Sequence, residues 1–379
     1  ENLFGAATQS SEISGDISEI KYKQFVNDTL RESKLENFDI NLAPGAFFLS
    51  RGAEKIAVSR WISPKRTRSY PYERVYDTLA YDGKKAVIIP VVKDEGLGGE
   101  RDFLQWDTFS LMNLLEVYVV LGYYDQATKS LRKADSLVAQ QYNREFVAAK
   151  LKELSQSNLS AVEWNLRELK NLKQTIEKAR AAYQKISEET GVRLHNPQGL
   201  ETFERKLSGD ILQFLEFSRQ KSQKAQTREF LTDQPNETLT TRTKSRITIS
   251  DYLGGKYFYT VDEAVFENGT LYLIESKHNQ GGKLTGTGDI KEGLVKMIVY
   301  RNMVDVRRNG KPVKSMPVLR LTASQMQGSI SSEAKPEDLA KFIELNRFDR
   351  KQAELLQNLF KEAKQNDFLI RLEQADTKK

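Results

Sequence analysis

Thr260-Val261-Asp262-Glu263-Ala264-Val265-Phe266-Glu267-Asn268-Gly269-Thr270-Leu271-Tyr272-Leu273-Ile274-Glu275-Ser276-Lys277 is the stretch whose reading decides the fold. An Asn-Gly pair between two β-prone apolar runs is a strong hairpin signal, and a two-residue type I′ loop fixes the register of the strands around it. With Asn268 and Gly269 in the loop, Glu267 faces Thr270, Phe266 faces Leu271, Ala264 faces Leu273 and Asp262 falls opposite Glu275. Cross-strand partners stand about 4.5–5.5 Å apart at Cβ. Side chains alternate along a strand, so Lys277 shares the face of Glu275 while Glu263 points to the other. Val261, Ala264, Val265, Phe266, Leu271, Tyr272, Leu273 and Ile274 are apolar on both faces, as in a central strand pair.

Two carboxylates and an ammonium are thereby expected on one surface. Close carboxylates repel unless a cation lies between them. Hard oxygen ligands of this kind suit Mg²⁺, which keeps several waters and takes only one or two protein carboxylates. A lysine at the edge of such a site can position a metal-bound water and offset charge developing on a phosphate. The plain alternative is an exposed hairpin in which Lys277 merely neutralises Asp262 and Glu275.

Asp262, twelve intervening residues, and then Glu275-Ser276-Lys277 at the end of an apolar strand resemble the PD-(D/E)xK nuclease superfamily, to which most type II restriction endonucleases belong. The resemblance implies Asp262 and Glu275 as metal ligands, the main-chain carbonyl of Ser276 as a further ligand, and Lys277 as the catalytic lysine. Val261 stands where the name of the motif has Pro. The cofactor implied is Mg²⁺, with Mn²⁺ as a substitute.

The remainder of the chain narrows the choice. It has 379 residues, of which 29% are charged and 39% hydrophobic, enough for a large core in two or three substructures. There is no cysteine, which removes disulfides, thiolate chemistry and zinc-finger readers, and only His195 and His278 are available for imidazole chemistry. No run of about 18 apolar residues occurs and no leader pattern opens the chain, so a cytoplasmic protein without a membrane span is expected. The chain starts at Glu1 rather than Met, as a trimmed chain would. Residues 240–325 carry 14 Lys or Arg against 8 Asp or Glu, which accounts for the whole net charge of +6. A basic field around the hairpin suits a polyanion, although chance clustering on a solvated face gives the same count.

Upstream, residues 20–34 read as a helix. The segment Trp61 to Arg74 interleaves basic and aromatic residues, and Arg60, Lys65, Arg66, Arg68, Tyr72 and Arg74 are candidate DNA contacts. An equal alternative is a structured loop that buries tyrosine rings beneath guanidinium groups. Lys84–Lys93 reads as a strand whose Pro90 suggests an edge or bulge. Asp94, Glu95, Asp102 and Asp107 form a weak acidic cluster, read as caps and loop charges. From Phe103 to Glu188 the pattern is helical, and Leu159, Val162, Leu166, Leu169, Leu172, Ile176, Ala179, Tyr183 and Ile186 make a seam for another helix. That partner is either a helix at 104–139 or a second copy in a homodimer.

Residues 199–221 read as an amphipathic helix with Glu204 inside its apolar stripe. By the resemblance Glu204 is an additional acid of the metal site, and an ion pair explains it equally well. Strands at 244–250, 256–266 and 271–278, a helix at 289–304 and a strand at 317–322 complete the order α-β-β-β-α-β of the resembled core. The loop at 279–288 is a mobile, glycine-rich segment in which Gln280 and Lys283 are candidate DNA contacts. Lys296 and Tyr300 occupy the spacing of a Gln and a Tyr in one branch of the superfamily, making Lys296 a candidate phosphate contact.

The sequence thus predicts a mixed α+β protein: an N-terminal α/β region (1–103), a helical region (104–195), a restriction-endonuclease-like core (196–325) and C-terminal helices (326–379). The activity implied is Mg²⁺-dependent hydrolysis of double-stranded DNA by a site-specific restriction, or defence, endonuclease. The alternatives are a repair or RNA-directed nuclease of the same fold, a non-catalytic nucleic-acid-binding module, and a helical scaffold.

Overall fold

Asn268 has φ 48° and Gly269 φ 78°, the two positive values that a type I′ loop requires, so the turn forms as its sequence demands. The computed structural model describes residues 12–65, 71–196, 198, 245–251 and 256–375. Over these the chain is mixed α+β with eight α-helices. It divides into two compact units, Asp28–Gln220 on the one hand and Glu1–Asn27 with Lys221–Lys379 on the other. β1 (Glu12–Ile17) belongs to the second of these.

In the Asp28–Gln220 unit, β2 (Arg31–Lys34), β3 (Ala46–Arg51) and β4 (Glu54–Arg60) lead through α1 (Pro71–Leu79) to β5 (Lys84–Pro90). The small pair β6 (Val92–Asp94) and β7 (Arg101–Phe103) follows, then α2 (Trp106–Leu114) and β8 (Val117–Gly122). The sheet order is β2-β3-β4-β5-β8. Pro90 was expected on an edge, but β5 lies between β4 and β8 and tolerates proline because it is the last residue of the strand.

β9 (Tyr124–Lys129) and β10 (Leu137–Tyr142) form a separate two-stranded ribbon, followed by α3 (Arg144–Gln156), α4 (Ala161–Lys170) and α5 (Leu172–Thr190). The expectation of helix throughout 103–188 is therefore wrong for three strands. Val117-Tyr118-Val119-Val120-Leu121 is buried between neighbours, and a short apolar run of this kind does not reveal its period. The seam from Leu169 to Ile186 is consumed inside the chain: α4 lies on β8 and α5 on β9. No helix spans 104–139 to receive it.

In the other unit, β11 (Ser245–Asp251) and β12 (Lys256–Val261) join β1 in a sheet ordered β12-β11-β1-β15-β16, where β15 is Val304–Arg308 and β16 Lys311–Pro312. A second sheet is ordered β13-β14-β17-β19-β18. Its hairpin is β13 (Glu263–Glu267) and β14 (Thr270–Asn279), from which α6 (Thr287–Arg301) crosses over. The remaining elements are β17 (Lys314–Ala323), β18 (Ser329–Ser331), α7 (Pro336–Asn346), α8 (Arg350–Gln365) and β19 (Leu369–Gln374). Residues 369–374, expected within C-terminal helices, are thus a strand, with Ile370 and Leu372 buried beside β17.

The hairpin register is the expected one from Glu267↔Thr270 to Glu263↔Ile274. Beyond it the sequence reading fails, because the strand expected over 256–266 breaks at Asp262 and its two halves enter different sheets. The Asp262 side chain explains the break: its Oδ2 accepts the N–H of Ser276 at 2.8 Å.

The helix expected over 20–34 is also absent. Residues 18–30 have no regular structure, and 31–34 are β2. Here the backbone N–H groups of Phe25 and Val26 donate to the buried carboxylate of Glu362 at 2.7 and 2.9 Å, and that of Lys23 to Asn366 at 2.8 Å. Tertiary acceptors on and just after α8 replace the carbonyls a helix would have used.

The sheets that hold the β3-β4 and β13-β14 hairpins share one connectivity. Each runs antiparallel hairpin, crossover helix, parallel strand, second helical crossover, parallel strand, as β3-β4-β5-β8 and as β13-β14-β17-β19.

Candidate active site

β14 is an interior strand of its sheet, between β13 and β17: Leu271 and Leu273 are fully buried and Ile274 nearly so. Glu275 pairs with Leu319 and Ser276 with Arg320 of β17, so the strand alternates two networks between its faces.

On one face stand Glu275 and Lys277. α6 covers this face closely because residue 293 is Gly, where an added Cβ would come within 2.5 Å of Leu319 Cδ1. The helix thereby delivers Lys296 Nζ to 2.7 Å from Glu275 Oε1, and Lys277 Nζ stands 3.5 Å from the same oxygen. Glu275 is only 2% exposed, and among the described residues its other oxygen, Oε2, has no hydrogen-bond partner. Lys277 also lies 3.7 Å from Glu292 Oε2.

The electrostatics are strongly coupled. Burial pulls the Lys296 ammonium down, but Glu275, then Tyr300 and Asp262, more than offset this and hold it well above the usual lysine range. Burial pushes the Glu292 carboxyl up, partly countered by Lys277. Asp262 and Glu275 thus act on one buried cation, although the bend at Asp262 removes the ladder pairing expected between them.

On the opposite face, Arg320 donates from Nη1 to Glu263 Oε2 and from Nε to Ser276 Oγ, both at 3.0 Å. Arg320 and Glu263 are buried, and their contact ties β13, β14 and β17 together. Glu263 therefore faces away from Glu275, as the register requires. Ser276 is fixed at its N–H by Asp262 and at its hydroxyl by Arg320.

The sequence did not single out Glu292, nor the pairing of Lys296 with Glu275. The four-residue spacing of Glu292 and Lys296, one helical turn, was the available signal. The loop after β14 is tied down rather than a loose connector: Gln325 N–H donates to Gly282 O at 3.1 Å, Asn279 Nδ2 to Leu284 O at 2.7 Å, and Ser324 Oγ to Gln280 O. Lys283 is half-buried in it. Glu204, Arg66 and Arg68 lie outside the described residues.

Arg60, Lys65, Tyr72 and Arg74 belong to the Asp28–Gln220 unit, where three of them have structural duties. Arg60 Nη1 donates to Ile40 O at 2.8 Å, Arg74 Nη1 to Arg60 O at 2.6 Å, and Tyr72 is buried edge-on to Trp61. Burial and the neighbouring Arg60 pull the Arg74 guanidinium below its usual value. Lys65 is half-exposed, 3.8 Å from Glu100. Of the acidic cluster, Asp94 pairs with His195 at 2.8 Å and Asp102 accepts from Ser63 at 2.9 Å. Counted from the turns, Ser59, Arg60 and Trp61 stand where the other sheet has Glu275, Ser276 and Lys277, so the shared connectivity does not repeat the charged site.

Among the described residues no three acidic or histidine side chains cluster into a ready-made metal cage. Two carboxylates suffice for Mg²⁺, and a buried carboxylate oxygen lacking a partner is an acceptor of the type this ion takes. The donor set fits. No helix among the described residues is long and apolar enough to cross a membrane. The chain matches no known family, no curated protein and no solved structure.

Proposed function

We propose that this protein is a Mg²⁺-dependent nuclease of the restriction-endonuclease-like fold, acting on double-stranded DNA. The observation that carries the reading is Glu275: a buried carboxylate with one oxygen held by Lys296 and Lys277 and the other without a partner. Burying an ionised carboxylate is costly unless its oxygens are satisfied, and a group left in this state is a functional candidate. The hairpin β13-β14, the crossover α6 and the parallel strand β17 support the fold assignment.

Asp262 and Glu275 would hold the ion, with the carbonyl of Ser276 as the third protein ligand. When bound, the ion supplies Lewis acidity and an activated water at neutral pH. Lys277 stands at the edge of the carboxylates, where its ammonium orients the attacking water and offsets charge on the phosphate. Lys296 holds Glu275 in place from the helix side, and Arg320 holds Ser276 from behind the sheet. A non-catalytic binding module would have no use for this buried arrangement of opposed charges. The basic excess over residues 240–325 favours a polyanionic substrate. A site-specific restriction enzyme in a cytoplasmic defence system is the form of the activity proposed.

The test is incubation with unmethylated plasmid DNA in Mg²⁺, in Mn²⁺ and in EDTA, using the wild type and Glu275→Gln. Discrete fragments with metal, absent in EDTA and with the variant, are expected. Cleavage by Glu275→Gln at the wild-type rate would remove the assignment.

A further inference from the structure

We propose that the β9-β10 ribbon is a duplex-DNA reader that enters the major groove with its tip on the phosphates. For its partner this rests on the DNA reading above, but its evidence lies in separate residues.

The ribbon is a two-stranded sheet of its own, the width that the major groove of B-DNA admits. Its base is rigid. The buried rings of Tyr124 and Tyr142 pack at a tilt of 44° with centroids 4.6 Å apart, and their hydroxyls donate to Ile62 O and Trp61 O at 2.9 and 2.6 Å. One face is committed inward: Leu137 is buried, Gln140 bonds Asp94 O and the Tyr183 hydroxyl, and α5 lies on β9.

Among the described residues the other face is exposed towards the tip. It presents the cross-strand pairs Gln126↔Gln141 and Thr128↔Val138, all four residues exposed. Glutamine amides match the N6 and N7 edge of adenine, and apolar or threonine methyl groups match the thymine methyl, so the face has the chemistry of an A·T reader.

The tip adds charge. Lys129, Arg132 and Lys133 are exposed, and none has an ion-pair partner among the described residues, while the carboxylate of Asp135 beside them is bonded to Arg193. The tip is also held in shape: Ser130 Oγ accepts the N–H groups of Arg132 and Lys133 at 3.3 and 3.1 Å, and Ser130 N–H bonds Ser136 O at 2.8 Å. A loop already ordered loses little entropy on binding. Leu131, fully exposed at the apex, is the one large apolar group there, too little for a membrane anchor but suited to contact with sugar or base edges.

The experiment measures binding of fluorescent duplex DNA by the full chain in EDTA across a salt series. Lys129→Gln/Arg132→Gln/Lys133→Gln should weaken binding at least tenfold near 0.15 M salt and make the log-log salt slope shallower by about 2 to 3, at roughly 0.9 per phosphate contact. Gln126→Ala/Gln141→Ala should keep non-specific affinity but lose the A·T-containing sequences that the wild type enriches from a randomised duplex pool. A triple variant with wild-type affinity and slope overturns the ribbon proposal, whatever the cleavage result. Wild-type binding to anionic phosphatidylserine vesicles but not to duplex DNA also overturns it. If the ribbon variants lose DNA binding while the wild type never cuts with Mg²⁺ or Mn²⁺, the nuclease reading fails and the ribbon stands.

Discussion

Lys296 of α6 and Glu275 of β14, 21 residues apart in sequence, meet at 2.7 Å beneath the sheet surface. The contact leaves Glu275 Oε1 shared between two ammonium groups, while Oε2 has no hydrogen-bond partner among the described residues. Lys296, expected from its spacing to Tyr300 to contact a phosphate, is bonded to this carboxylate in the structure, and in the proposed site it would position Glu275.

Lys296→Met should destabilise the metal-free protein by about 3–5 kcal/mol, since breaking a buried pair strands the remaining charge. It should also raise Mg²⁺ affinity several-fold, because the site becomes more negative. Thermal unfolding in EDTA and in Mg²⁺ reads both effects, and the variant should recover more stability from the metal than the wild type does. Equal melting shifts in the two proteins would sink this account of Lys296.

Asp262 has a structural duty as well as the proposed ligand role. Asp262→Asn keeps an oxygen for the Ser276 N–H, so it should fold normally yet lose cleavage. Asp262→Ala leaves that N–H without its acceptor and should cost a further ~1–3 kcal/mol. Denaturant titration separates the two variants, and similar stability for both would show that the bend does not depend on the hydrogen bond.

The Arg320–Glu263 pair lies on the face away from Glu275. Glu263→Ala should lower stability by about 3–5 kcal/mol because Arg320 loses its buried counter-charge. In the variant that remains folded at low temperature, the Mn²⁺ dissociation constant measured calorimetrically should stay within about twofold, or ~0.4 kcal/mol, of wild type. A loss of metal affinity as large as that of Glu275→Gln would place Glu263 on the wrong face.

Gly293 sets the approach of α6 to the sheet. Gly293→Ala should cost about 1–3 kcal/mol by overpacking against Leu319. Pairing it with Leu319→Ala should cost less than the sum of the two single changes, because each makes room for the other. Additive unfolding free energies would mean that the helix does not rest on that contact.

Local chemistry made part of this molecule readable. Asn268-Gly269 has the backbone freedom of a type I′ turn, and the register it fixes runs correctly to Glu263↔Ile274. That same register put Glu263 and Glu275 on opposite faces. The crossover helix was legible because its hydrogen bonds close within its own turns, and β17 because its apolar run marks a strand, although the partners β14 and β19 that pair with it are remote.

Tertiary structure decided the rest. Asp262 leaves the strand because its side chain captures a backbone N–H fourteen residues on, and residues 23–26 stay unwound because Glu362 and Asn366 take the amides of Lys23, Phe25 and Val26 from more than 300 residues away. Residues 117–121 became a strand because neighbours on both faces bury them. The Lys296–Glu275 contact likewise needed α6 to be laid on the sheet at Gly293. Sequence alone determined where hydrogen bonds and apolar contacts close within a few residues; wherever the partner was distant, only the assembled chain could supply it.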